Sequence, residues 1–197
     1  MTTKDTLIDT ATNLFLGKGY GAVGTAEICK TAGVNRGTFY HFFPSKTDLL
    51  IHTINKYAEE FRRAFVEISG SDTPPRDKLI MLFDVPGQAN AAWKKEHGFS
   101  QGCLVGNMAL EVSSNEEPVR VAVERALSNW SSAVEPIISS LIQRGEIPSI
   151  DIRRGADLVI SMIQGGIVLA KANNDPTRIS MMADSAFGAL AGLPSKP

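Results

Sequence analysis

The chain has 197 residues, of which 43% are hydrophobic and 21% charged, and its formal net charge is −1. This is an ordinary soluble globular composition, and the near-neutral charge gives no global sign of nucleic-acid binding. Two cysteines, Cys29 and Cys103, exclude a disulfide-built scaffold and a metal cluster of the CxxC type. We therefore expect no metal site and no cofactor.

No segment of the sequence is typical of a membrane or secreted protein. The first residues, MTTKDTLID, lack the apolar core of a signal peptide. The longest apolar stretch, Leu158 to Ala172, is too short to span a bilayer and contains Gln164 and Lys171. These features predict a cytoplasmic protein with no membrane partner.

The first helices are predicted from apolar periodicity and from capping residues. Residues 4–18 place an apolar stripe on one helix face, and a break at Gly17 and Gly19 follows. Residues 25–43 then contain two short helices, with Thr25 as a plausible N-cap of the first. Gly33 suits the left-handed cap that ends that helix, and Asn35 can cap the next.

The remaining chain also has helical periodicity throughout. A long helix is predicted from Lys46 to Ile68, with Ser45 as its cap. Further helices are predicted near 76–95 (interrupted or kinked at Pro86), 103–112, 118–144 (kinked at Pro136), 151–173 and 176–191. No stretch alternates convincingly in the manner of a β-strand, so the predicted fold class is all-α.

The two short helices have the arrangement of a helix-turn-helix, which lays its second helix in the DNA major groove. Residues 30–46 contain three basic residues and no acidic one, a local charge of +3. Arg36 can form a bidentate contact with guanine, and Thr38 can meet a thymine methyl group or a phosphate. Tyr40 and His41 can reach phosphates from the groove edge, and Lys46 adds charge at a helix start.

The segment AGVNRGTFYHFFPSKTDLL closely resembles the signature of the TetR family of bacterial transcriptional regulators. The resemblance implies three N-terminal helices that bind DNA, residues 1–48, and a helical effector-binding and dimerisation domain, residues 49–197. In the family a residue at the position of Thr25 often touches a phosphate, whereas Asn35 and Arg36 occupy variable positions. The predicted DNA-binding residues are Thr25, Asn35, Arg36, Gly37, Thr38, Tyr40, His41 and Lys46.

Cys103 is a candidate sensor because it begins a predicted helix, where free N–H groups and the helix dipole can lower a thiol pKa. The segment GCLVGNMALE resembles a TetR-like branch in which such a cysteine senses electrophiles or oxidants. In that branch a lysine near the end of the penultimate helix assists, and Lys171 stands at a matching place. The alternative is that Cys103 is a buried structural residue, as we expect for Cys29.

A small-molecule effector, if one binds, is expected among the helices after Pro74. The apolar candidates for its cavity are Phe83, Trp93, Met108, Trp130 and Met162. The alternative for each residue is ordinary core packing at helical spacing.

The last two helices are the predicted homodimer interface, because they offer apolar and small residues. These residues are Met162, Ile163, Gly166, Ala170, Met182, Ala186 and Phe187. One helix-turn-helix contacts one half-site, so a palindromic operator in double-stranded DNA requires two subunits.

Together these features predict a homodimeric repressor that a small molecule, electrophile or oxidant releases from DNA. Two other classes stay open. One is a helical interaction module that no longer recognises DNA, and the other is a cysteine-dependent enzyme. No nucleophile elbow, phosphate-binding loop or metal spacing supports the enzyme.

Overall fold

The computed structural model describes residues 2–194, which form ten helical segments and no strand. The predicted all-α fold is confirmed. The segments are α1 (Thr3–Lys18), α2 (Thr25–Ala32), α3 (Arg36–Phe42), α4 (Lys46–Gly70), α5 (Pro75–His97), α6 (Leu104–Glu111), α7 (Glu117–Gln143), α8 (Ile152–Asn173), α9 (Thr177–Ser180) and α10 (Met182–Ala191).

The predicted interruption at Pro86 is not observed, because α5 continues through this residue to His97. An interior proline removes one helical hydrogen bond, but Pro86 and its neighbour Gly87 are buried in the unit that contains α5. Pro136 likewise lies inside the continuous helix α7.

Contacts divide the chain into two compact units. One comprises the residues up to 59 together with 103–126, and the other comprises 60–102 together with the residues from 127 onward. The division differs from the predicted boundary between residues 48 and 49, because α6 and the start of α7 group with the N-terminal helices. Helices α4 and α7 each contribute to both units.

The N-terminal unit is built on the apolar faces of its short helices. Phe15 of α1, Ile28 of α2 and Phe39 of α3 are fully buried, as are Phe43 and Leu49. Short helices of seven or eight residues are marginal alone, so this shared core is what stabilises α2 and α3.

Helix α8 is central to the second unit, where it contacts α5, α9 and α10. Among the described residues it is the one helix whose length and composition would allow it to cross a membrane. The sequence prediction considered only the shorter apolar stretch, whereas the helix itself has 22 residues. Its face with Val159, Ile163, Ile167 and Ala170 is buried, as in a core helix of a globular unit.

Two neighbouring glycines of α8 are expected to respond oppositely to alanine. A Cβ at Gly166 would lie 3.2 Å from Met182 Cγ and 3.3 Å from the Ile179 Cα, whereas a Cβ at Gly165 meets nothing within 4 Å. Gly165→Ala should therefore raise the free energy of unfolding by about 0.5–1 kcal/mol through helix propensity. Gly166→Ala should lower it by about 1 kcal/mol through overpacking. Urea unfolding of both variants tests this, and equal stabilisation would contradict the close packing.

Candidate nucleic-acid interface

The turn between α2 and α3 is closed by Gly33, as predicted. Gly33 has φ 68° and ψ 30°, a left-handed conformation that glycine adopts without a Cβ penalty. The N–H of Val34 donates to the Cys29 carbonyl at 3.0 Å, which satisfies an acceptor at the end of α2. The turn thereby sets the direction in which α3 leaves α2.

Asn35 caps α3, which confirms the predicted capping role. Its Oδ1 accepts from the Thr38 backbone N–H at 2.8 Å and from the Thr38 hydroxyl at 3.1 Å. A Cβ at Gly37 would approach the same oxygen at 3.2 Å, so glycine leaves room for this cap. The side chains of Asn35 and Thr38 are therefore bonded to each other, and the start of α3 is well defined.

The outer face of α3 carries three of the residues predicted to bind DNA, and all three are exposed. Arg36 and Tyr40 are one helical turn apart and both are exposed, Tyr40 by 52%. His41 is exposed as well, and Phe39 anchors the opposite face. Since α3 contains no acidic residue, this face can approach a phosphate backbone without charge repulsion.

Thr25 is not the N-cap of α2, so this prediction is wrong. The N-cap is Gly24, which has no side chain to offer, and Thr25 is the first helical residue. Thr25 is half-buried, and as the first residue of α2 it belongs to the turn whose leading N–H groups lack an acceptor within the helix. Such a helix start is a favourable place for a phosphate.

Lys46 begins α4, and its side chain is directed to the turn between α1 and α2. The ammonium group donates to the carbonyls of Tyr20 and Val23 at 3.0 Å each, and lies 3.9 Å from the centroid of the Tyr20 ring. Partial burial lowers the pKa of Lys46, and the charge of Glu111 opposes this shift. Ser45 caps α4 through the Asp48 N–H at 3.0 Å, as predicted.

His52 makes the stability of this unit depend on pH. Partial burial lowers the pKa of His52 below its ordinary 6.5, the charge of Lys4 lowers it further, and Asp48 opposes both effects. Its ring packs at 5.3 Å, centroid to centroid, against Phe43. Protonation therefore favours the unfolded chain, whose histidine pKa is about 6.5.

We accordingly expect the stabilising contribution of neutral His52 to be complete above about pH 6.5 and to decline as the pH falls from there towards its lower folded pKa. Urea unfolding at several pH values between about 8 and 5 should show a smaller acid loss for His52→Asn than for the unmodified chain. An identical acid loss in both proteins would contradict this assignment.

The predicted sensor residues have different environments. Cys103 is buried, with 4% of its surface exposed, and it is the N-cap of α6. Lys171 is exposed in the last turn of α8. Cys29 is buried on α2, in agreement with its predicted packing role.

The candidate cavity residues fall into two groups. Phe83, Met108 and Trp130 are almost completely buried, while Trp93 and Met162 are half-buried. Trp130 packs against the rings of Phe61 and Phe65, with centroids 5.8 Å and 6.3 Å away. The indole Nε1 of Trp93 is buried without a hydrogen-bond partner among the described residues.

The residues predicted for the dimer interface lie mainly inside a single chain. Ile163, Gly166, Ala170 and Ala186 are buried, whereas Met162, Met182 and Phe187 are half-buried. The physical reason is that α8 and α10 contact each other within the second unit, and their small residues allow that approach. We therefore assign the buried four to intramolecular packing.

Glu111, the last residue of α6, belongs to none of the sites predicted from the sequence. Its carboxylate accepts the N–H groups of Tyr20 at 3.1 Å and Gly21 at 2.7 Å, in the turn that leads to α2. The sequence feature that could have drawn attention to Glu111 is its place in the last turn of a helix, where the helix dipole disfavours an acidic residue. The partner turn is 90 residues away in sequence and could not be inferred.

Two family models match the chain. One, described as bacterial regulatory proteins of the tetR family, matches residues 7–53. The other, described as a tetracyclin repressor-like C-terminal domain, matches residues 77–185. The first match contains α2, the turn and α3, and the second extends from α5 into α10.

Proteins of similar sequence are described as transcriptional regulators. The transcriptional regulator AcuR of Cereibacter sphaeroides is 33% identical over 133 residues, which cover 66% of this chain and 58% of AcuR. The HTH-type transcriptional repressor NemR of Escherichia coli is 26% identical over 144 residues, covering 73% of this chain and 68% of NemR.

Solved structures share the fold over nearly the whole chain. The regulatory protein TetR from Rhodobacter sphaeroides superposes with a TM-score of 0.85 at 25% identity, covering 95% of this chain and 98% of that one. The reduced form of Escherichia coli NemR superposes with a TM-score of 0.80 at 21% identity, covering 100% and 99%. With the family models, of which the second alone spans more than half the sequence, these findings show that the chain belongs to the TetR family of bacterial DNA-binding transcriptional regulators.

Proposed function

We propose that this regulator is a homodimeric repressor that binds a palindromic operator through α3 and is released by an effector. The observation that carries the proposal is the exposed outer face of α3, where Arg36, Tyr40 and His41 stand on a helix without acidic residues. Arg36 is the candidate for base recognition, and Tyr40 and His41 are candidates for phosphate contacts.

The start of α2 is the second proposed phosphate contact. The Thr25 hydroxyl and the first N–H groups of α2 offer donors at the positive end of the helix dipole. Lys46 contributes its positive charge and its third N–H donor, since the other two donate to carbonyls of the chain. Phosphate contacts of this kind position a recognition helix but carry no sequence information.

Dimerisation is proposed through the outward face of α8. Val168 is 56% exposed and Leu169 is 44% exposed, and both lie one turn from the exposed Gly165. Near α10, Met181 is 71% exposed. Apolar exposure of this kind is typical of a surface that a second copy covers, and a symmetric pair of subunits presents two copies of α3 to DNA.

The effector is proposed to bind in the second unit, near Trp93. A buried donor without a partner costs free energy, so an acceptor on a small molecule would be favoured at Nε1.

Cys103 is the alternative site at which an effector could act. NemR, whose solved structure is of a reduced form, is the similar protein that suggests redox or electrophile sensing. Because Cys103 is buried, such a reaction requires local opening first.

Selection of bound sequences from random double-stranded DNA tests the proposed function. We expect a palindromic site whose half-site centres are about one helical turn, roughly 34 Å, or a multiple of it apart. The affinity should fall steeply with salt, because each neutralised phosphate releases counterions. Failure to enrich any site with the reduced, effector-free protein would contradict the proposal.

Effectors are then tested on the selected operator. An effector that weakens binding by between five- and 150-fold has a coupling free energy in the usual allosteric range. Cys103→Ser separates the two inputs, since it should abolish release by oxidants or electrophiles and retain release by a reversible ligand. We also propose a cytoplasmic location and no catalytic activity, in line with the regulators that the chain resembles.

A further inference from the structure

The turn between α1 and α2 is bonded from two sides. Lys46 donates to the carbonyls of Tyr20 and Val23, and Glu111 accepts from the N–H groups of Tyr20 and Gly21. Four backbone polar groups of this short segment thus bond to one cation and one anion from distant parts of the chain. Hydrogen bonds to charged groups are the stronger ones in proteins.

The position of Glu111 has no local explanation. A carboxylate in the last turn of a helix meets the negative end of the helix dipole, which disfavours it. The bonds to Tyr20 and Gly21 supply the missing reason, because the two carboxylate oxygens each accept one N–H, at 3.1 Å and 2.7 Å. The side chain is therefore engaged in holding the turn, not in stabilising α6.

The glycines of the turn make room for this carboxylate. Gly19 has φ 83°, and a Cβ there would lie 3.3 Å from Glu111 Oε2. A Cβ at Gly21 would lie 3.3 Å from Oε1, tighter than most contacts of real Cβ atoms. The backbone of the turn and the Glu111 side chain are thus complementary in shape as well as in charge.

We propose that Glu111 is a positioning residue for operator binding, which acts by fixing the turn from which α2 starts. This inference rests on the proposed function. Helix α2 begins at Thr25, directly after the turn, and its end sets the direction of α3. When the turn is free to move, only a fraction of molecules present α2 and α3 correctly, and the apparent affinity falls by that fraction.

The direction in which operator affinity changes when the Glu111 carboxylate is removed distinguishes this role from simple electrostatics. Removing a negative charge from the unit that binds DNA should strengthen binding, because repulsion from phosphates is reduced. A positioning role predicts the opposite, namely that loss of the carboxylate weakens binding. Glu124, an exposed carboxylate on the part of α7 in the same unit, is the matched control for the charge.

The experiment compares the operator Kd of Glu111→Ala, Glu111→Gln and Glu124→Ala with that of the unmodified chain. We expect Glu111→Ala to bind roughly tenfold more weakly. Glu111→Gln removes the same charge but keeps a carbonyl acceptor, so it should recover part of the affinity. Glu124→Ala should bind equally or slightly more tightly.

Amide hydrogen exchange without DNA gives an independent readout. The amides of Tyr20 and Gly21 should exchange faster in Glu111→Ala than in Glu124→Ala, while the thermal midpoints stay close. Gly21→Ala crowds the carboxylate from the other side and should weaken operator binding in a folded protein. Combined with Glu111→Ala it should weaken binding no further, because both changes remove the same contact.

Two results would overturn the inference. If the unmodified chain binds its operator and Glu111→Ala binds as well as Glu124→Ala, Glu111 does not position the DNA-binding helices and only this inference fails. If the unmodified chain selects no operator, the proposed function fails and the inference fails with it.

Discussion

Lys46→Met is expected to weaken operator binding about a hundredfold, the largest effect among the predicted contact residues. The ammonium group donates to the carbonyls of Tyr20 and Val23 and covers the Tyr20 ring. Methionine keeps much of the apolar stem, but it leaves both carbonyls without this donor and removes one positive charge. The loss therefore combines a misplaced turn with a missing electrostatic contribution.

Lys30→Met is the matched control, because Lys30 is exposed on α2 and carries the same charge. Its removal should weaken binding only through phosphate electrostatics, several-fold at low salt and less as the salt concentration rises. Fluorescence anisotropy with labelled operator at three or more salt concentrations separates the two variants. Equal losses with equal salt dependence would show that Lys46 acts only as a surface charge.

Trp130→Ala should lower the free energy of unfolding by about 3–5 kcal/mol, the largest stability effect expected here. Trp130 is 2% exposed and contacts the rings of Phe61 and Phe65 in the second unit. Truncation removes these aromatic contacts and leaves a cavity that the surrounding helices can fill only in part. Trp130 was a candidate for the effector cavity, and this environment favours a role in the core.

Trp93→Ala provides the comparison, since Trp93 is half-buried and stacks on the exposed His97 at 3.9 Å. We expect a loss of about 1 kcal/mol or less for this variant. Denaturant unfolding followed by far-ultraviolet circular dichroism measures both, and does not depend on the tryptophan signal that each variant loses. If both variants lose equal stability, Trp130 is not the core residue described here.

The same two residues connect stability to function. A variant at Trp93 that stays folded and binds operator normally, yet no longer responds to the effector, would support the proposed site at Nε1. Loss of response at Trp130 would have no such meaning, because a destabilised core changes the second unit as a whole.

Local features of the helix-turn-helix were predictable. Gly33 and Asn35 act through bonds to residues no more than five positions away, so sequence spacing alone was sufficient to assign them. The same holds for Ser45 at the start of α4. The prediction that Thr25 is the N-cap of α2 was wrong because the sequence allowed either Gly24 or Thr25 at this position. The backbone conformation shows that it is Gly24.

Apolar faces were predicted less well in the second unit. Helical periodicity identified α8 and α10 as amphipathic or apolar, but it could not say which neighbour covers each face. Ile163 is buried and Gly166 lies against α9 and α10 of its own chain, while Val168 and Leu169 are exposed. The proposed dimer interface therefore lies on the exposed face of α8 with Val168 and Leu169, and not on the buried face with Ile163 and Gly166.

By itself the sequence determined the helical fold, the family signature and the outward residues of α3, since these depend on short-range spacing. Only the tertiary structure decided the hydrogen-bond partners of Lys46 and Glu111, because these partners lie 23–26 and 90–91 residues away. A charged side chain looks the same in sequence whether it meets solvent, a phosphate or a distant backbone group. Its partner is set by how the helices pack, which single-residue chemistry does not specify.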